Sequence, residues 1–295
     1  MKKSVVLGFT LVFVGSLLIV GSVAAQEDSV SRGGRLYDKW WSVTGADEPI
    51  IDQALWAMQE SNTRSGSDTW RCKECHGWDY LGEDGAYGSG SHFTGFPGVL
   101  GAAQTSTVEE LAAALKGSTN PDHDFSSMLD DAAINDLATF LKNGLVDYRQ
   151  YIDYSAKAPI GADDASGAQL FADTCTACHG SDGSALNFGD EDEPEYVGTI
   201  AVDNPQEFVH KTRFGQPGSE PAMPAAIDEG WSLQDVVDVL AYAQTLPTGE
   251  EPSLLPETGY GPPDRTHQVL LALGLAALAM GLGLLTWERV RPARQ

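Results

Sequence analysis

Cysteine is scarce in this 295-residue chain. There are four, Cys72, Cys75, Cys175 and Cys178, and none is left over outside two Cys-x-x-Cys pairs. Positive charge is also scarce, with 18 Lys and Arg against 42 Asp and Glu and a formal net charge of -24. The imbalance is deeper in the middle: between Glu27 and Asp264, 41 acids face 12 bases, a net of -29. Such a surface repels nucleic acid and anionic lipid headgroups, which excludes those partner classes. It suits a basic docking partner, or plain solubility in salt. Methionine is rare too, five residues of which Met1 is the initiator.

The four thiols fall into a repeated pattern, Cys72-Lys73-Glu74-Cys75-His76 and Cys175-Thr176-Ala177-Cys178-His179. Cys-x-x-Cys-His is the attachment signature of c-type haem. Two cysteines three apart on one helical turn point the same way, so each can form a thioether to one haem vinyl group. The adjacent histidine then lies over the porphyrin, where its imidazole binds iron as proximal ligand. The pattern predicts two covalently bound haem c groups, held by Cys72, Cys75, Cys175 and Cys178, with His76 and His179 on iron. A zinc shared by both pairs would need ligands about a hundred residues apart and would ignore the two histidines. A thioredoxin-like redox pair wants a βαβ setting, which is not visible. Structural disulfides would leave histidines at matched positions unexplained.

Residues 1–25 open with Lys2 and Lys3, run apolar from Val5 to Val20 and end in Val23-Ala24-Ala25. That reads as a secretory signal peptide cut after Ala25, with an uncleaved anchor as the alternative. Apolar periodicity predicts helices over 32–43, 107–115 (Thr105 or Ser106 as N-cap), 130–145, 165–173, 204–214 and 232–246. Residues 47–67 interrupt the first group with a short helical pattern at 50–58, whose Met58 is expected in the core, and a turn at 65–68. The glycine-rich stretch 77–101, carrying Trp78, Tyr80 and Tyr87, is a long loop that has to cover something, here a haem face. Residues 155–161 read as a linker.

The plan then repeats. His76-Gly77-Trp78-Asp79 matches His179-Gly180-Ser181-Asp182 at an offset of 103, and Asp136 to Phe140 matches Asp238 to Tyr242 at 102. Leu36-Tyr37 matches Leu170-Phe171 at 134. The first copy therefore carries about thirty extra residues between its opening helix and its haem motif.

Downstream, a Pro/Gly-rich linker (249–267) leads to a predicted transmembrane helix (268–287) and a tail (288–295). Val269 to Trp287 is a run of 19 residues without a charge, long enough to span a bilayer. Arg289, Arg291 and Arg294 follow it, which makes the tail cytoplasmic and puts the preceding domains outside. Leu255-Pro256-Glu257-Thr258-Gly259 also matches the sortase pattern Leu-Pro-x-Thr-Gly. Sorting would cut after Thr258 and leave the protein on the cell wall.

The second copy resembles the class I c-type cytochromes over nearly its whole length. The family's Gly-x-x-Leu-Phe, Cys-x-x-Cys-His-Gly, loop methionine and closing helix with an aromatic correspond to Gly167 to Phe171, Cys175 to Gly180, Met223-Pro224, and Val236 to Tyr242. The first copy resembles the family less closely, because of the insertion and because Leu129 rather than proline follows Met128. The resemblance implies an all-α fold of two tandem class I cytochrome c domains, 26–154 and 162–248, with haem attached on the outer side of the membrane. It also implies distal methionines, Met128 on the first iron and Met223 on the second. His123, five residues before Met128, is the rival at the first haem; His92 and His210 are the other histidine candidates. Methionine ligation and burial raise a haem's potential, whereas surface acid lowers it but is screened over about 8 Å. The expectation is two fairly high-potential haems.

By this likeness the chain carries electrons between a redox protein donor and acceptor at the outer face of the cytoplasmic membrane. It would do so freely or as a subunit of a respiratory or photosynthetic complex, without changing a substrate bond. The alternative is a dihaem oxidoreductase, peroxidase-like or thiosulfate dehydrogenase-like, with an open iron in the first domain. The thiosulfate enzymes use a cysteine at one iron, and no spare cysteine exists here.

Overall fold

A computed structural model describes residues 29–249. The expected signal peptide, the pentapeptide 255–259, the uncharged run 269–287 and the basic tail lie outside the described residues. Among the described residues no helix is long and apolar enough to cross a membrane.

The first described helix, α1, covers residues 29–44. Its Val30, Leu36, Tyr37, Trp40 and Trp41 are buried, the stripe that a period of 3.6 residues places on one face. It crosses α5 (Asp131–Asn143), which starts where the Asp130 carboxylate accepts from the Ala133 amide. The crossing is tight at Gly33, where a Cβ would collide with the Asp136 carbonyl and Phe140. Arg32 and Asp136 form an ion pair beside it. The same contact recurs in the second half between α6 (Asp164–Leu170) and α10 (Leu233–Ala243). There a Cβ on Gly167 would collide with the Asp238 carbonyl. Only glycine lets two helix backbones approach so closely.

Between α1 and α5 lie α2 (Cys72–His76), α3 (Leu100–Thr105) and α4 (Val108–Leu115). The N-cap of α4 is Thr107, reciprocally bonded with Glu110 in a capping box. Thr105 and Ser106, the expected caps, instead end α3, a helix without a side-chain cap and with Gly101 inside it. Such a segment gives no periodic signal. The insertion holds two 3-10 turns, Ala54–Met58 and Gly66–Trp70. Met58 is not in the core: it is 73% exposed, because Trp56 takes the inward position of that turn.

In the second half, α6 does not run straight into the haem motif. It passes through a π-helical turn, Phe171–Cys175, before α7 (Thr176–His179). After α7 come α8 (Val197–Asp203) and α9 (Pro205–Phe214), the latter capped by Asn204 with proline at its first position. The expected linker 155–161 is the return of a small hairpin, in which β1 (Ile152–Asp153) pairs antiparallel with β2 (Ala158–Pro159). Gln244 holds it down by donating to the Lys157 carbonyl at 2.7 Å.

The two halves meet through α9. His210, 1% exposed, sits against Tyr80 and α1. Arg213 donates to the Gly144 carbonyl at 2.8 Å and to the Tyr148 hydroxyl at 3.2 Å. Phe214 packs edge-on to Phe140, and Arg35 donates to the Phe214 carbonyl at 2.9 Å. Residues 29–249 therefore form one compact unit.

Candidate functional site

Both Cys-x-x-Cys-His segments are helical turns closed by a glycine in the left-handed region, Gly77 at φ 77° and Gly180 at φ 78°. The hydrogen bonds around them repeat at an offset of 103. The Gly77 amide donates to Lys73 O at 2.9 Å, and the Gly180 amide to Thr176 O at 3.0 Å. The Tyr80 amide donates to Gly77 O and the Gly183 amide to Gly180 O, each at 3.3 Å. The histidine carbonyls are bound alike, His76 O by Gly82 at 2.8 Å and His179 O by Ala185 at 3.0 Å. A matched stretch of sequence thus adopts a matched backbone in both halves, and none of the four cysteines is in a disulfide.

At the first motif, Cys72, Cys75 and His76 line a cleft of about 430 Å³, mouth included, with largely apolar walls. Leu55 and Trp70 from the insertion, Phe96 from the glycine-rich loop, and His123 and Phe125 also line it, beside the polar Gln53, Thr69 and Arg71. Burial pushes both thiols up to about 12, so they stay protonated. The His76 Nδ1–H donates to the Pro97 carbonyl at 2.7 Å, which fixes the tautomer and leaves Nε2 with its lone pair free. Solvent reaches His76 from within the cleft, yet the protein around it is dense enough that burial lowers its pKa to about 4, with the Pro97 bond opposing. The ring is therefore neutral, as a metal ligand must be. Thiols three apart, a neutral imidazole and apolar walls fit the edge and face of a haem.

The loop 77–101 does two things. Phe96 faces the cleft, as expected of a cover, whereas Trp78, Tyr80 and Tyr87 pack inside the protein. Trp78 is fully buried, with Lys73, Lys211 and Arg71 within 5.2–5.9 Å of its ring centre. Inside the motif itself, Glu74 is buried and bonded to Lys73, Asn62, Arg64 and His92. Burial would raise its pKa, but the His92 hydrogen bond and the Lys73 and Arg64 charges outweigh this and hold it well below the usual carboxylate range.

At the second motif, Cys175 packs against the core and Cys178 is exposed. His179 lies 6.0 Å from the Phe188 ring, centre to centre, and its buried Nδ1 has no hydrogen-bond partner. Burial lowers its pKa, so the imidazole is neutral as an iron ligand must be, but the carbonyl partner that Pro97 gives to His76 Nδ1 has no counterpart at His179 Nδ1. Met223 is half-buried; its amide donates to the Ser219 hydroxyl at 2.9 Å.

The remaining histidines and methionines separate clearly. His210 is committed to the seam: its Nε2–H donates to Gly34 O at 3.0 Å and its Nδ1 accepts from the Tyr80 hydroxyl at 2.8 Å. His92 is held by Glu74 and Arg64 and stacks on Tyr87 at 4.3 Å. His123 is brought to the first cleft, its ring 6.2 Å from that of His76. Met128 is 38% exposed and is not among the residues lining the cleft; the buried Leu129 beside it takes the inward place. Sequence reasoning missed Pro97, whose contribution is a carbonyl with no side-chain signal. It also missed Leu55, Phe96 and Phe125, which look like any other apolar loop residue.

Among the described residues no three His, Cys, Asp or Glu side chains gather to hold a bare metal ion. Comparison with curated proteins gives no match. A protein-family model described as cytochrome c oxidase, cbb3-type, subunit III matches residues 162–242, which include the second motif, Met223 and most of α10. The match supports a c-type cytochrome domain over that segment, which implies covalently bound haem c and electron transfer as its chemistry.

Proposed function

We propose that the chain is a dihaem electron carrier, with one haem c at Cys72–His76 and a second at Cys175–His179. The observation that carries this is the backbone hydrogen-bond scaffold reproduced at an offset of 103 around both motifs. It extends the chemistry of the matched segment to the first half, where the apolar cleft gives it further support. Bound haem c supplies a one-electron ferric–ferrous couple at each site. The chain's own residues set its environment. The four thiols tether the group. The Pro97 carbonyl orients the His76 ring. Leu55, Trp70, Phe96 and Phe125 keep water off the porphyrin, which favours the less charged ferrous state and raises the potential.

The working place we propose is the outer face of the cytoplasmic membrane, with Val269 to Trp287 as anchor and a basic redox protein as docking partner. The excess of acid between Glu27 and Asp264 would speed that encounter at low ionic strength. The matched family is described as an oxidase subunit, so a respiratory or photosynthetic membrane complex is the assembly we propose for it. The test is expression in a host that attaches haem c, followed by haem quantitation and redox titration. Two haems per chain, falling to one in Cys175→Ser/Cys178→Ser and in Cys72→Ser/Cys75→Ser, is the expected result. A colourless protein, or one with haem at a single motif, refutes the proposal.

A further inference from the structure

We infer that the first haem is held between two histidines, His76 on one face and His123 on the other, and that Met128 is not a ligand. This rests on the reading that residues 72–76 attach a haem.

The ring separation carries the argument. Metal–imidazole bonds are about 2.0–2.1 Å and a ring nitrogen lies about 1.1 Å from its ring centre, so imidazoles on opposite sides of one metal have centres about 6.3 Å apart. The His76 and His123 centres are 6.2 Å apart, and both line the cleft that holds Cys72 and Cys75. Each ring directs its Nδ1 at a backbone carbonyl: His76 at Pro97 at 2.7 Å, His123 at Ala114 with a longer contact of 3.4 Å. Nε2 is then the free nitrogen on both.

The loop carrying His123 is built rather than incidental. The Asn120 side chain caps the turn Pro121–His123, and the His123 amide donates to Asn120 O at 2.9 Å. The Phe125 amide ties the far side to Leu115 O at 2.9 Å. The buried Gln53, which itself lines the cleft, donates to Asp122 O at 2.8 Å. Gln53 belongs to the thirty-odd residues that the second half lacks. The insertion therefore has an assignable use: it braces the turn that presents His123. The second half has no such brace and offers Met223 in its loop. A His/His iron has a lower potential than a His/Met iron. The two haems are then unequal, with the first as the low-potential member.

The experiment uses the haem-loaded protein. Haem quantitation comes first: absence of haem at Cys72/Cys75 overturns the underlying reading and is seen independently of the ligand question. With both haems attached, electron paramagnetic resonance and near-infrared magnetic circular dichroism of the oxidised protein report the ligands. The wild type should show one bis-imidazole haem, strongly anisotropic because the two rings are inclined at 72°. His123→Gly should convert that half of the haem from low to high spin, and added imidazole should restore it. Met128→Leu should leave every signal and both potentials unchanged. Loss of a methionine-to-iron charge-transfer band in Met128→Leu overturns the inference. So does His123→Gly with both haems still low-spin and unshifted.

Discussion

The seam histidine sets a measurable pH dependence. His210 is 1% exposed and neutral, and burial lowers its pKa to about 3. Its attraction to Asp38 and its bond to Gly34 oppose that shift without reversing it. In the unfolded chain an ordinary imidazole titrates near 6.5. Below that pH the unfolded state takes up a proton that the folded state refuses, so stability falls as pH falls from about 6.5 towards 3. Between pH 7 and pH 5 the loss from this one group is about 2 kcal/mol, and by pH 3 it reaches about 4 kcal/mol. His210→Gln isolates it. The Gln Oε1 accepts from the Tyr80 hydroxyl and its Nε2–H donates to Gly34 O, so the bonding pattern survives and the titration does not. Urea unfolding of the haem-loaded wild type and variant at pH 7 and pH 5 should show the wild type losing about 2 kcal/mol more than the variant over that interval. Taking the difference cancels the other histidines. Glu74, whose stabilising contribution is present above its unfolded pKa and is lost only at lower pH, stays ionised throughout. Parallel behaviour of the two proteins would refute the assignment of a neutral, buried His210.

Two further outcomes follow from the helix contacts. Gly167→Ala places a methyl against the Asp238 carbonyl, and overpacking of this kind costs about 1–3 kcal/mol, seen as a lower thermal midpoint with haem content intact. Thr107→Ala removes one arm of the capping box of α4 and should cost about 1 kcal/mol in denaturant unfolding, with an unchanged slope.

How much could be read from the chain differs by element. The long helices were legible because apolar periodicity and caps agree: Asp130, Asn204 and Ser232 each stand one residue before the observed start. The internal match was legible as well, since Gly33 and Gly167 share the offset of 134 of Leu36-Tyr37 and Leu170-Phe171, and the Asp136 and Asp238 carbonyls they meet share the offset of 102. α3 and α8 were not legible; both are short, contain glycine and have no acidic residue in the first turn. The π-helical turn before Cys175 lies inside a continuous helical pattern that only the backbone bonding interrupts. At the site, the two Cys-x-x-Cys-His segments declare themselves by spacing. The choice between His123 and Met128 does not, because both follow the motif and precede α5. What separates them is which way a five-residue loop turns its side chains, and that loop is bonded at Asp122 O to Gln53, some seventy residues upstream.

The polar seam has a consequence for anyone who wishes to split this molecule. A cut in the β1–β2 hairpin is the obvious choice by sequence, yet it would strand Arg213 without Tyr148 and Gly144, and strip Phe214 and His210 of their neighbours on α1 and α5. Neither fragment would keep a surface that water tolerates. The two halves of residues 29–249 are therefore fused through this seam, and shuffling either half alone would have to carry α9 or its socket along with it.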